Sequence, residues 1–432
     1  MDMDKREKLE LSSEENKAET ENSEEEITAE AEQKEDNTSS ETKSKESEQI
    51  SENKEAAENA LDDKKKKKSK KKFLLIIPAF LIILGIIAAV FIHHKLNLIK
   101  YGEGLDYTLN TDQSFIEDES VDFGEIDDVT GSTFKEILKN WALTTDAPKI
   151  SDKNILNVLL IGSDASAKSK KRADVMENGN TDVMMIVSIN TKNKTIKLIS
   201  IMRDSYLYLK GYDKFSKLNA ACANGGPAYL VDVIEDSYKI EINGYAMVDF
   251  DTFIQCIDIV GGVNVDVPER VGKKYKMPYG NNALLNGEQA LDFCRERYLY
   301  KDADVSRTKN QRMVVTALIN KCKSASLTQI NSVLDTILAN VHTSFRKKEI
   351  VNYMTKALTD GWANYTVTQR TMPTADARYG YSGSAWIWVI DYPLAAQKMQ
   401  NEIYGTTNIK LEENRVTAIT VMGGYVTEDK GN

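Results

Sequence analysis

Histidine is almost missing from this chain: there are three in 432 residues, His93, His94 and His342. Two of them adjoin a long apolar run, so a Ser-His-Asp or Cys-His nucleophile has almost no material. The four cysteines, Cys222, Cys256, Cys294 and Cys322, stand alone with no Cys-x-x-Cys spacing. With so few histidines beside them, that argues against a zinc site. Each cysteine lies in an apolar-periodic segment, so buried free thiols are expected in preference to disulfides. No GxxxxGK[ST] and no GxGxxG after a strand is present, which excludes the common phosphate-cradling loops. No nucleic-acid partner is expected.

Aromatic residues are absent from the first 72 positions. Residues 1–63 carry 23 Asp/Glu against 8 Lys/Arg, a net of −15, and Lys64–Lys68 with Lys70–Lys72 then add +8. Of the chain's −10, only −3 is left for everything beyond Lys72. The acidity therefore belongs to the leader. A segment so poor in apolar groups cannot offset its ordering entropy, so 1–63 is expected to be a disordered acidic tail and 64–72 a Lys-rich juxtamembrane segment. Phe73 to Ile92, FLLIIPAFLIILGIIAAVFI, has no charge over twenty residues. As a helix it matches a hydrocarbon core of about 30 Å. It lies too far from the start for a cleaved signal peptide. The lysine run on its N-terminal side predicts a single-pass anchor in the cell membrane, with a cytoplasmic N-terminus and an extracellular C-terminal domain.

Beyond the anchor, 93–149 reads as an extracellular stalk with one amphipathic stretch, FKEILKNWAL. From Asn154 the pattern changes. ILNVLLIG (155–162) is a continuous apolar run of the kind buried strands show, and VMMIVSI and IKLISI flank the turn cluster NTKNKT. A helix opens at Pro227, and YAMVDF, DTFIQCIDIVGG and VNVDV repeat strand, helix, Gly pair, strand. Further helices fall near 287–294, 304–323, 326–340 and 346–358, with YTVTQRTM a late strand and PLAAQKMQNEIYG a final helix. Strands interleaved with helices imply a layered α/β domain of about 250 residues. It is bounded here as 150–410, with 411–432 a C-terminal tail.

Two groups of residues could carry chemistry. Asp304, Arg307 and Gln311 stand at i, i+3 and i+7 and would share one helix face, while Arg295 and Arg297 leave the end of the preceding helix. Converging guanidiniums suit a polyphosphate, because each is a planar, permanently charged fork. They also suit a salt-bridge lattice with Asp292, Glu296 or Asp302, and the segment alone leaves both readings open. The second group sits at strand ends, where α/β domains place ligands: Ser163-Asp164, Asp182 and Met202-Arg203-Asp204. Carboxylates there could hold Mg²⁺ beside a substrate phosphate. Each could also be a cap or turn residue.

GSD (162–164), NTDVMMIVSINTKNKTIKLISIMRDSYLYL, KLNAACANGG (217–226), VDF, GGVNVDV, LNGEQALDFCRER and DADVSRTKNQR together resemble the LytR-CpsA-Psr family, in order from about Asn154 to Gly405. The resemblance implies an α-β-α sandwich with a central mixed sheet and a prenyl-lipid channel. It implies a Mg²⁺-dependent phosphotransferase of the Gram-positive envelope, moving a glycopolymer from an undecaprenyl-pyrophosphate carrier to peptidoglycan. By the same resemblance Asp164 and Asp182 are the metal carboxylates, and Arg203, Arg295, Arg297 and Arg307 bind pyrophosphate with Gln311 beside them. Asp204 would assist the attacking hydroxyl, and Lys217 and Asn219 would lie on the substrate side. The chain departs from the family pattern at Asn180 and Asn310, both expected to be Arg, which implies reduced activity unless Lys170, Lys171 or Arg172 substitutes. Two alternatives remain: a polyprenyl-phosphate binding or regulatory protein without turnover, and a lipid pyrophosphatase.

Overall fold

The computed structural model describes residues 90–99, 101–102, 104–109, 121, 128–143, 147–163, 181–413 and 416–422. The acidic leader, the lysine run, Asp164, Lys170, Lys171, Arg172 and Asn180 lie outside them. So does the apolar twenty-mer, apart from 90–92. Residues 90–97 are helical, and Val90, Phe91 and Ile92 are exposed. Among the described residues no helix is long and apolar enough to cross a membrane.

In chain order the main elements are β1 (Tyr101–Gly102), α1 (Asp128–Leu143), β2 (Ile155–Ser163), β3 (Thr181–Asn190), β4 (Thr195–Ile201), β5 (Tyr206–Leu209), β6 (Lys214–Lys217), α2 (Ala220–Tyr238) and β7 (Gly244–Asp249). There follow α3 (Phe250–Ile259), β8 (Val263–Val267), α4 (Glu269–Tyr275), β9 (Gly280–Leu285), α5 (Gly287–Arg295), α6 (Asp304–Ser324), α7 (Leu327–Asn340), β10 (His342–Thr343) and α8 (Lys347–Thr359). The chain closes with β11 (Thr366–Met372), β12 (Arg378–Ser382), β13 (Trp386–Ile390), α9 (Tyr392–Tyr404) and α10 (Ala418–Met422).

Seven strands form one mixed sheet in the order β1-β10-β7-β2-β3-β4-β11. β2 runs parallel to β7 and antiparallel to β3, β3 is antiparallel to β4, and β4 is parallel to β11. Helices pack on both faces, α2 among them on one side and α6 and α7 on the other. The mixed sheet between helices is the expected architecture. One face is closed by Leu159, Ile161, Met184, Ile186, Ile199 and Ile201 against α2 and α9. Alternate β2 residues face this core while Leu160 turns to a cavity on the other side, so a run that reads as uniformly apolar serves two different surfaces.

Three hairpins stand apart from the main sheet: β5–β6, β8–β9 and β12–β13. VNVDV is therefore a strand, as expected, but belongs to a satellite hairpin. It seals a second core of Val263, Val265, Val267, Leu285, Phe293 and Val314 between α3, α5 and α6. Local chemistry sets these helix starts. Asp249 accepts from Thr252 N at the head of α3, and Asn286 with Gln289 and Ser326 with Gln329 form capping boxes for α5 and α7. At Gly226 the backbone has φ 76° and ψ −179° inside α2, a conformation open only to glycine, so the regular helix does start at Pro227.

Two expected boundaries need correction. Phe134 and Leu138 of α1 are fully or almost fully buried in the main core, so part of the segment read as a stalk (93–149) is built into the domain. The segment read as a C-terminal tail (411–432) contains α10, whose Ala418 and Met422 are likewise buried there, so α9 is not the final helix. Both helices are short amphipathic pieces in polar surroundings, and their apolar faces become informative only once a partner surface exists.

Candidate functional site

β3 begins, and β2 and β4 end, at one edge of the sheet, and the side chains there converge. Gly162 next to that end is required by close approach, since a Cβ would meet Val183 Cβ at 2.9 Å. Asp182, the second residue of β3, accepts a hydrogen bond from Arg203 Nη1 on its Oδ1. The same oxygen lies 3.7 Å from Arg307 Nη1. Arg307 Nη2 is 2.8 Å from Asp304 Oδ1 one helical turn before it, and Arg203 Nε is 3.6 Å from that oxygen. Arg203 Nε also lies 3.5 Å from Asp204 Oδ2, whose other oxygen is 3.4 Å from Lys217 Nζ. Three carboxylates and three cations thus form one lattice.

The lattice is largely dry: Asp304 is 6% exposed, Arg307 5% and Asp204 8%. Burial pushes the Asp304 carboxyl above its ordinary range despite Arg307 beside it. Burial likewise pulls the Arg307 guanidinium down, against the attraction of Asp304. For Arg203 burial works in the same direction, but Asp204, Asp304 and Asp182 outweigh it and hold its pKa up. Arg203 Nε and Arg307 Nε have no hydrogen-bond acceptor. Unspent donors on buried guanidiniums are available to an anion.

Arg295 and Arg297 take different positions. Arg297 donates to the Tyr298 hydroxyl at 2.9 Å and lowers its pKa by that bond and by its charge. Arg295 lies over the Phe250 ring, 5.4 Å from its centroid. Between them Glu296 is 0% exposed, bonded to Lys274 and accepting the Leu299 amide at 2.9 Å. Of the pairings left open for these arginines, the one with Glu296 is not made, since Glu296 takes Lys274, while Arg295 acts on Asp292 by its charge; the lattice carboxylates are Asp182, Asp204 and Asp304. Asp302 accepts from Ser306 instead.

Two cavities meet at this lattice. The first, about 420 Å³, has an apolar wall that includes Leu160, Ile161, Val248, Phe250, Phe253 and Val315, with Asp182, Arg203, Arg295, Arg297, Arg307 and Gln311 at its polar end. The second, about 630 Å³, holds Asp204, Lys217 and Asp304 together with Tyr300 and two tryptophans. Arg203, Arg297 and Tyr298 line both. Gln311 Nε2 is 3.5 Å from the Cys294 carbonyl oxygen. Asn219 acts through its backbone, its amide donating to the Arg203 carbonyl and its carbonyl accepting from Thr181. That ties the strand ends together beneath the lattice and places Asn219 outside the lining of either cavity.

Asn310 is 4% exposed and donates to the Phe293 carbonyl and the Tyr300 hydroxyl, both at 3.1 Å. This position fastens α6 to the end of α5 and does not face the anion site, so its departure from the family pattern is structural here. Asp304, which the sequence placed on the helix face of Arg307 and Gln311 without a role of its own, is the carboxylate that joins Arg307 to Arg203. For Mg²⁺, Asp182 is the described donor: both guanidiniums engage Oδ1, which leaves Oδ2 for a hard cation. One carboxylate oxygen is too little alone, and among the described residues no group of three or more acidic, His or Cys side chains could hold a metal. The fit therefore depends on Asp164.

Fold and site together define a layered α/β protein whose strand ends carry an arginine–aspartate lattice between two cavities, one walled by aliphatic side chains and one lined by charged and aromatic ones. The LytR_cpsA_psr family profile matches residues 126–403, which takes in all of α1, and the chain belongs to that family. Among curated proteins it is similar to the polyisoprenyl-teichoic acid–peptidoglycan teichoic acid transferase TagV of Bacillus subtilis (strain 168). The two are 35% identical over 183 residues, 40% of this chain and 47% of TagV. It is also similar to the transferase of that name, TagU, of Bacillus mycoides (strain KBAB4), 33% identical over 207 residues, 48% of this chain and 65% of TagU. The matches thus span about half to two-thirds of these relatives. Among solved structures, protein gbs0355 from Streptococcus agalactiae shares the fold, with a TM-score of 0.50 and 23% identity over 61% of this chain and 92% of that one.

Proposed function

We propose that this chain is a phosphotransferase that moves a glycopolymer from a polyprenyl-pyrophosphate carrier to a peptidoglycan hydroxyl. The observation that carries the reading is the shared boundary of the two cavities. Arg203 and Arg297 stand where a volume walled by aliphatic and phenylalanine side chains meets one lined by charged side chains, tyrosines and tryptophans, an order that suits the lipid, pyrophosphate and sugar of such a carrier. The prenyl chain lies along the aliphatic wall of the first cavity, and Arg203, Arg295, Arg297 and Arg307 hold the two phosphates with Gln311 beside them. The names of the relatives point the same way.

In the reaction the acceptor oxygen attacks the phosphorus that bears the glycan. The P–O bond to the lipid phosphate breaks, polyprenyl monophosphate leaves, and the hydroxyl proton passes to Asp204. Asp204 is positioned for that role by Lys217 and Arg203 on its two oxygens. Phosphoryl transfer asks mainly for placed positive charge, which the guanidiniums supply. Mg²⁺ held by Asp182 with Asp164 would neutralise further charge on the transferring group. The test is to give the purified full chain a polyprenyl-pyrophosphate sugar, Mg²⁺ and peptidoglycan fragments and to seek the glycan–phosphate adduct by mass spectrometry. The expected result is transfer that Asp204→Asn and Asp182→Asn each abolish. Lipid binding with no adduct would mean a carrier-binding protein, and free sugar phosphate would mean a pyrophosphatase.

We also propose that Phe73–Ile92 anchors the chain in the cell membrane, with the lysine run on the cytoplasmic side and the domain outside. Protease added to wall-free cells should then remove the domain and spare the acidic leader. Loss of the leader first would reverse the orientation.

A further inference from the structure

The β12–β13 hairpin brings two tryptophans to the second cavity. Trp386 and Trp388 alternate with Ile387 and so share one face of β13, and both line that cavity. Their rings are 5.6 Å apart at 84°. Trp386 lies over Gly380, where a Cβ would come within 2.3 Å of its ring, so the glycine leaves the space the ring occupies. The hairpin is docked to the site by its backbone, since the Trp388 amide donates to the Asp204 carbonyl at 2.8 Å. Trp388 is 3% exposed, yet its indole N–H has no acceptor. A buried Trp ordinarily finds a partner for that group.

The rest of the wall mixes charged side chains with tyrosine rings. Tyr300, Lys301, Asp302 and Ala303 complete it beside Asp204 and Lys217. Ala303 has φ 33° and ψ −95°, a conformation an alanine adopts only under constraint. Strain of this kind collects where a ligand-facing loop is held in shape. An indole face next to hydroxyl-binding charges suits one ligand class, a flat ring with apolar C–H faces and a polar rim.

We infer that Trp386 forms a pyranose-binding surface that holds the sugar nearest the reacting phosphate, with Trp388 behind it, its own ring covered by the Arg378 guanidinium at 5.0 Å. The inference rests on the transferase reading and deepens it. That sugar belongs either to the donor glycopolymer or to the acceptor glycan, and the two sources share this chemistry. Lys301 and Asp302 supply hydrogen bonds to its rim.

The experiment uses the full chain with Trp386→Ala and Trp386→Phe. The probes are an N-acetylhexosamine oligosaccharide, a short polyprenyl pyrophosphate without sugar, and the same carrier with its sugar. The oligosaccharide should saturably change the emission of the chain's four tryptophans. Trp386→Ala should weaken saccharide binding by about tenfold, equivalent to about 1.4 kcal/mol of lost contact. Binding of the sugar-free carrier should be unchanged, and Trp386→Phe should restore most of the affinity. In transfer assays a raised KM for the sugar-bearing carrier assigns the surface to the donor, and a raised KM for peptidoglycan fragments assigns it to the acceptor. Unchanged saccharide affinity and unchanged KM for both overturn the inference while leaving the transferase reading intact. A Trp386→Phe variant as impaired as Trp386→Ala, with a matching fall in thermal stability, also overturns it, because the ring would then only fill the hairpin. A wild type that never transfers but binds saccharide through Trp386 removes the transferase reading and keeps the binding surface.

Discussion

Replacing Glu296 by glutamine removes one charge and almost no volume. Glu296 is enclosed between Arg295 and Arg297, and its partners are Lys274, Tyr275 and the Leu299 amide. Burial opposes its ionisation, but the hydrogen bonds from Lys274, Tyr275 and Leu299 together outweigh burial and bring its pKa from 4.5 to about 2. At about 1.4 kcal/mol per pKa unit, that difference sets a ceiling of about 3 kcal/mol on what ionisation contributes. Lys274 remains 37% exposed, and screening of its charge brings the expectation to about 2 kcal/mol. A carboxyl whose pKa is depressed by folding stabilises fully above its unfolded pKa and loses that contribution as pH falls through the folded one. Denaturant unfolding of wild type and Glu296→Gln should therefore differ by about 2 kcal/mol at neutral pH. The gap should begin to close near pH 4.5 and approach zero toward pH 2. A gap independent of pH would refute the reasoning and assign the loss to packing. Because the flanking arginines ride on this turn, lipid-pyrophosphate affinity should fall with the gap at neutral pH.

Arg307→Ala should cost about 3–5 kcal/mol in denaturant unfolding, because it strands the buried Asp304 carboxylate. Arg307→Lys should retain much of that stability and still lose transfer, since the fork spanning Asp304 and Asp182 is gone; full activity in the lysine variant would count against the anion site. Asn310→Arg, which matches the family pattern, should lower stability by about 1–3 kcal/mol by overpacking a filled, buried position, and a rise in transfer rate would contradict the placement of Asn310. Burial pushes the Cys222 and Cys256 thiols up to about 12 and Cys294 higher still. A thiol reagent near neutral pH should thus modify half-buried Cys322 first, and prior labelling of any other cysteine, read by peptide mass spectrometry, would refute that order.

Strand and helix periods were legible because each depends on residues close in sequence. α4 was not anticipated, but β2, β3, β4, α3 and α5 through α8 fall within a few residues of where alternation, capping residues and glycine pairs put them. So was the face that joins Asp304, Arg307 and Gln311, because a helix carries its own register. The sequence also placed arginines and aspartates at strand ends, but it could not choose their partners. Glu296 turned to Lys274, and Asp304 joined Arg203 across more than a hundred residues, because burial makes each charge take whichever opposite charge the fold brings near. The same holds for Asn310, whose neighbours Phe293 and Tyr300 are set by how α5 meets α6. β12 and β13 are short, with their tryptophans readable as a period-two pair and their docking against Asp204 not readable at all. α1 and α10 join the core by long-range packing alone. Local sequence determined which segments are regular and which side of each is apolar. Tertiary packing decided which charges are dry, which pair, and where two cavities open beside them, because those depend on contacts between residues far apart in the chain.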